Sequence, residues 1–79
     1  MFKGGDEVYL NPKAVFNLPK LQDYQENYPD AIWTVEQYDD DYGGYTIYHP
    51  DAGRARGVSE NKIIPANELN LIKIKSKEF

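Results

Sequence analysis

The chain contains no cysteine, so neither disulfides nor thiolate-bound zinc can contribute to its stability. It has one histidine, His49, and a general base needs an orienting acid and a nucleophile beside it. Ser59 and Ser76 sit in no nucleophile motif, so no catalytic set is expected and no cofactor is implied. From Leu21 through Gly53 there is no Lys or Arg at all, against eight acidic residues. No run approaches the roughly 20 apolar residues of a membrane span. Met1 to Asp6 lacks the apolar stretch of a secretory signal. These absences describe a single domain over residues 1–79, expected to be a cytoplasmic, non-enzymatic monomer.

What is present is apolar and aromatic. Hydrophobic residues make up 41% of the chain and aromatics 14%, with seven Tyr. A domain this short buries only about 60% of its unfolded surface, so the core alone must hold it together. Tyrosine carries an apolar ring and a polar tip, which suits both a core wall and a binding surface. The net charge is −4, yet Arg54 to Phe79 holds six basic and three acidic residues. That partition can orient a partner, and it equally suits a solvated surface. The overall acidity argues against non-specific duplex binding, which rests on phosphate neutralisation.

Patterning predicts a mainly β fold. Asp6 to Leu10 alternates as a short strand, stopped by Asn11-Pro12. Leu18, Leu21, Tyr24 and Tyr28 share one helical face. Pro19 fits the first turn, Asn17 or Leu18 is the capping position with Asn17 chemically the better, and Pro29 ends the helix. Ala31 to Tyr38 is the second strand, with Trp33 and Val35 on one face and Ile32, Thr34, Glu36 and Tyr38 on the other. Asp39 to Gly44 is a loop by composition, and Tyr45 to His49 returns as the third strand. Arg54 to Asn61 suggests an edge strand weakened by glycine, and Lys62 to Ile64 resumes sheet character. Ile64-Pro65-Ala66-Asn67-Glu68-Leu69 reads as a tight turn in the form of a one-turn helix, followed by a closing strand over Leu69 to Lys75. Leu69, Leu71, Ile72 and Ile74 do not fit one strand face, so a bulge or two-sided burial is needed. The expected core centres on Val8, Val35, Ile47 and Leu69.

The Gly5-Asp6-Glu7-Val8 opening, the five short strands and the Ile64 to Leu69 turn resemble the SH3-like barrels. In that family a Pro-Ser-Asn-Tyr-type turn precedes the last strand, and Pro65-Ala66-Asn67-Glu68 looks like its counterpart. The resemblance implies a five-stranded barrel with a short helix inserted between the first and second strands. Small barrels of bacteria and their prophages, such as the YorP-like proteins, are similar in that insertion. Peptide-binding SH3 domains open on an Ala-Leu-Tyr-Asp-Tyr-like segment that is absent here, and Glu68 stands where their groove tyrosine lies. Proline-rich recognition therefore does not carry over.

Two surfaces carry candidate chemistry. Tyr38, Asp39, Asp40, Asp41 and Tyr42 place aromatic faces beside carboxylates, which attract cations; the Tudor-like relatives of the SH3 barrel are similar in using such cages. The plainer alternative puts Tyr45 in the core, Tyr38 over a sheet face and Tyr42 in the loop. As a calcium loop the triple aspartate fails, because Gly43 and Pro50 fall where ligands are required. No metal is therefore expected. The second surface is Arg54, Arg56 and Lys62 with Tyr48 and Tyr9, a basic group with stacking rings as used for single-stranded nucleic acid. The expectation is an interaction module that binds a protein or peptide at the acidic tyrosine surface, with single-strand nucleic-acid binding as the alternative.

Overall fold

A computed structural model describes residues 1–77; the last two residues of the expected 1–79 domain lie outside the described residues. The elements run β1 (Glu7–Leu10), α1 (Pro19–Asn27), β2 (Trp33–Asp39), β3 (Gly44–His49), β4 (Gly53–Val58), a single 3-10 turn (Glu60–Lys62), β5 (Ile63–Pro65) and α2 (Glu68–Lys75). The strands form one antiparallel sheet in the order β4-β3-β2-β1-β5. The expected barrel is not formed: the sheet stays open, with β4 and β5 as its two edges. The inserted helix is where periodicity places it. Pro19 opens it, and Leu18 is the capping residue rather than Asn17 and makes no side-chain cap bond. No described helix is long and apolar enough to cross a membrane.

Val8, Val35 and Ile47 are fully buried and share one cluster with Leu10, Trp33, Tyr45, Val58 and Ile63. Leu21 and Tyr24 lay the apolar face of α1 against it. A helix of nine residues is too short to persist without such packing. Val15, in the β1–α1 connection, is also fully buried; it lies in no strand or helix, so periodicity does not mark it.

Two bulges decide which side chains reach that core. Val35 pairs with Ile47, but Gln37 pairs with Thr46, so Glu36 is an extra residue in β2. Directly opposed residues in an antiparallel pair project to the same face. Tyr38, opposite Tyr45, therefore lies on the core side at the open end of the sheet, not on the outer face that strict alternation predicts. β4 answers with a bulge of its own: Tyr45 pairs with Val58 and Ile47 with Ala55, with Gly57 at φ 70° between them. A single residue in that left-handed conformation is the usual way to absorb one extra position.

The second correction concerns the carboxyl-terminal segment. Leu69 to Lys75 is not a strand; it lies within α2. The Asn67 side chain accepts a bond from the Asn70 amide at 2.8 Å, and Asn70 Nδ2 donates to the Pro65 carbonyl at 2.8 Å. Glu68 in the first turn and Lys73 and Lys75 in the last complement the helix dipole. At helical spacing the four apolar residues divide. Ile74 is buried and Leu71 half-buried, while Leu69 is 62% and Ile72 55% exposed. Leu69 is thus no part of the core. The one-turn helix before the last strand is Glu60–Lys62, not Pro65 to Glu68, and the last strand is only Ile63–Pro65.

Candidate functional site

The Glu36 bulge brings Tyr38 to the end of the core where the amino-terminal segment crosses the sheet. Tyr38 meets Tyr45 edge-on, with centroids 5.1 Å apart and planes at 83°. Phe2 meets the same ring at 5.8 Å and 85°. Such edge contacts place the positive rim of one ring against the negative face of another. The Tyr45 hydroxyl accepts from the Phe2 amide at 3.1 Å and donates to Glu60 Oε1 at 3.3 Å. Phe2, Tyr38, Gly43, Gly44, Tyr45 and Glu60 line an open cleft of about 570 Å³. An adjoining cleft of about 690 Å³ shares Phe2 and Glu60 and adds Asp6, Glu7, Ile63 and Pro65. Together they form a trough with Tyr38 and Tyr45 in one half, Asp6 and Glu7 in the other, and Phe2 and Glu60 between them. The terminal ammonium of Met1 stands 3.4 Å from Glu60 Oε1, an exposed pair.

The acidic turn beside the trough is split by its own geometry. The Asp39 carboxylate accepts the Asp41 amide at 3.0 Å, and the Asp39 carbonyl accepts the Tyr42 amide at 3.2 Å. Asp39 therefore works as a turn-former, leaving Asp40 and Asp41 exposed. Tyr42 lines no part of the trough; the Arg56 guanidinium lies 5.3 Å from its ring centre. The structure brings Tyr38 to Phe2, Tyr45 and Glu60, and it sends Tyr42 to a cation of the protein itself. Phe2 and Glu60 were not among the sequence candidates. Phe2 is 43 residues from Tyr45, and no local pattern announces that contact.

The basic group is dispersed. Arg54 holds Glu36 with two bonds, 2.7 and 3.1 Å, and stands 5.1 Å from the Tyr48 ring centre. Hydrogen bonding and charge from that carboxylate keep the guanidinium pKa above its ordinary value, against an opposing effect of desolvation. Lys62 Nζ donates to the Ala14 carbonyl at 3.1 Å. Tyr9 is buried at 6% exposure and offers no face for stacking.

His49 is in neither group, yet it is well engaged. Its Nδ1 accepts the Asp51 amide at 3.1 Å and lies 3.0 Å from the Tyr24 hydroxyl. A ring nitrogen that accepts a backbone N–H carries no proton, so the proton sits on Nε2 and Tyr24 is the second donor. Both contacts converge on the one Nδ1 lone pair, which is shared between two donors. Tyr24 also packs edge-on against Trp33 at 5.4 Å, and His49 lies 5.5 Å from the same indole. This arrangement pins α1 to the end of β3. Among the described residues no three His, Asp or Glu side chains converge as metal ligands.

No protein family's sequence profile matches this chain, and no curated protein or solved structure is found similar to it.

Proposed function

We propose that the chain is a non-catalytic interaction module that binds a basic protein segment in the trough of Phe2, Tyr38, Tyr45 and Glu60. The observation that carries this reading is the pair of edge-on aromatic contacts in a cleft that shares Phe2 and Glu60 with an adjoining one lined by Asp6 and Glu7. A lysine or arginine side chain entering there meets the exposed Tyr38 ring and the half-buried Phe2, packed over the buried Tyr45, together with the carboxylates of Asp6, Glu7 and Glu60. Cation–π attraction supplies about 0.5–2 kcal/mol per contact, and exposed ion pairs at most about 1 kcal/mol each. The expected complex is therefore weak and exchanges quickly. The exposed Asp40 and Asp41 add long-range attraction for the same partner. A one-turn helix directly before the last strand supports a likeness to the small SH3-like folds, here with an open sheet.

The test is a titration of isotope-labelled protein with short Lys- and Arg-containing peptides. Shifts should concentrate at Phe2, Tyr38, Tyr45 and Glu60, and Tyr38→Ala with Glu60→Gln should weaken binding about tenfold, a difference of about 1.4 kcal/mol. Perturbations confined to other surfaces, or none at millimolar peptide, would overturn the reading. Single-stranded nucleic acid is the second reading and draws on fewer groups. Arg54 is committed to Glu36 and Lys62 to a carbonyl, which leaves Arg56 with Tyr42 and Tyr48. It requires oligonucleotide binding at low salt that falls steeply as salt rises.

A further inference from the structure

β4 is an edge of the sheet, and its outward side is bare. Among the described residues, no backbone group of Gly53–Val58 is bonded outside the ladder to β3. An edge of this kind is a template for another strand. It is not buried under the helix beside it. The start of α1, with Leu18, Lys20 and Leu21, forms the far wall of an open groove of about 350 Å³ whose near wall is Arg54, Ala55 and Arg56. The backbone of such a groove can add a strand to the ladder, and its apolar wall can receive alternate side chains of that strand.

Charge decides what the added strand is. Arg54 and Arg56 are both exposed and alternate along the edge, and Lys20 is exposed on the opposite wall. A second copy of this chain, pairing β4 to β4, would bring arginines against arginines, which is destabilising across a ladder. A strand with acidic residues at alternate positions meets the reverse situation. Arg56 has no carboxylate partner among the described residues and rests on the Tyr42 ring. The regular register ends at the bulge around Gly57, so roughly four residues of partner can pair before the edge bends away, a span of about 13 Å.

We infer that the β4 edge accepts an extended acidic peptide as a further antiparallel or parallel strand, its carboxylates beside Arg56 on the face away from the core and its alternate apolar residues towards Leu18 and Leu21. This surface is separate from the aromatic trough and takes a ligand of opposite charge. The experiment uses isotope-labelled protein, a blocked octapeptide of alternating Glu and Val, two N-methylated forms of it (one for each alternate set of amides), and an oligo(dT) of eight nucleotides. The plain peptide should shift Gly53 to Arg56 and slow their amide exchange. Of the two N-methylated forms, one should lose about tenfold or more in affinity and the other keep it, because only one set of amides faces the ladder. Arg56→Glu should weaken the acidic peptide with the remainder of the spectrum unchanged, and Lys20→Glu, on the core-side wall, should weaken it far less. Equal binding of both N-methylated forms would reduce the surface to diffuse charge and overturn the inference. So would preferential binding of oligo(dT) at this groove, or shifts that map to the Phe2 and Tyr38 trough.

Discussion

Thr46 is 2% exposed, and its Oγ1 meets no hydrogen-bond partner among the described residues. A buried hydroxyl without a partner loses its water and gains nothing in return, a penalty of about 1–3 kcal/mol. Thr46→Val keeps the shape, keeps the β-branch that suits a strand, and deletes the orphan. It should raise stability by about 1 kcal/mol in denaturant melts; a loss of stability would show that the hydroxyl holds a buried water. Tyr24 makes a second residue-scale prediction. Partial desolvation, then the negative charge of Asp51 and of Tyr28, raise its pKa above the ordinary 10.0. The fold thus prefers the neutral phenol, which is also the form that donates to His49. A raised folded-state pKa contributes stability that is complete below pH 10 and is lost as pH climbs through the folded value. Tyr24→Phe should be the less stable protein at neutral pH, with a gap that narrows in alkaline melts.

At the scale of elements, α2 depends on its first turn. Only Ile74 of this helix is buried, so packing holds it weakly and the Asn67 cap carries a large share. Asn67→Ala should cost about 1 kcal/mol and appear as lost helical signal in circular dichroism well before the main unfolding transition. The aligned bulges make a different demand. A Cβ on Gly44 would come within 2.7–2.8 Å of the Gly57 and Val58 backbone, and one on Gly57 within 2.7 Å of the Tyr42 carbonyl. Backbone cannot retreat as a side chain can, so Gly44→Ala should destabilise by about 1–3 kcal/mol, read from its melting midpoint. These two elements also mark where reading the chain succeeds and where it stops. Trp33, Val35, Tyr45 and Ile47 alternate cleanly, and their strands and burial follow from that pattern. Leu69, Leu71, Ile72 and Ile74 fit neither one strand face nor a full helical stripe, because half of them remain in water. The capping Asn67 with acid first and lysine last was the available signal, and the apolar run outweighed it. Strict alternation puts Tyr38 on the wrong face for a subtler reason: a bulge exchanges faces, and nothing local in Trp33 to Asp39 reveals which residue is the extra one.

At the scale of the molecule, the trough could not be read from the chain because its lining comes from three stretches far apart in sequence, residues 1–7, 38–45 and 59–66. The same wide separation predicts an uneven stability. β2, β3 and β4 share long ladders, and most of the buried cluster lies under them with α1. β5 is three residues long, and one of them is Pro65, which gives no amide to a ladder. α2 follows it directly and buries one side chain. Local opening draws on segments with little buried apolar contact and few ladder bonds, so β5 and α2 should open together and below the global transition. Amide exchange in native conditions tests this directly. Ile47, Val35 and their ladder partners should exchange last, at the rate set by complete unfolding. Amides of Ile64 and Leu71 to Ile74 should exchange earlier, with similar opening free energies and similar response to mild denaturant. Equal protection of Ile74 and Ile47 would mean that α2 is part of the main cooperative unit. The burial pattern would then have misjudged how firmly that helix is held.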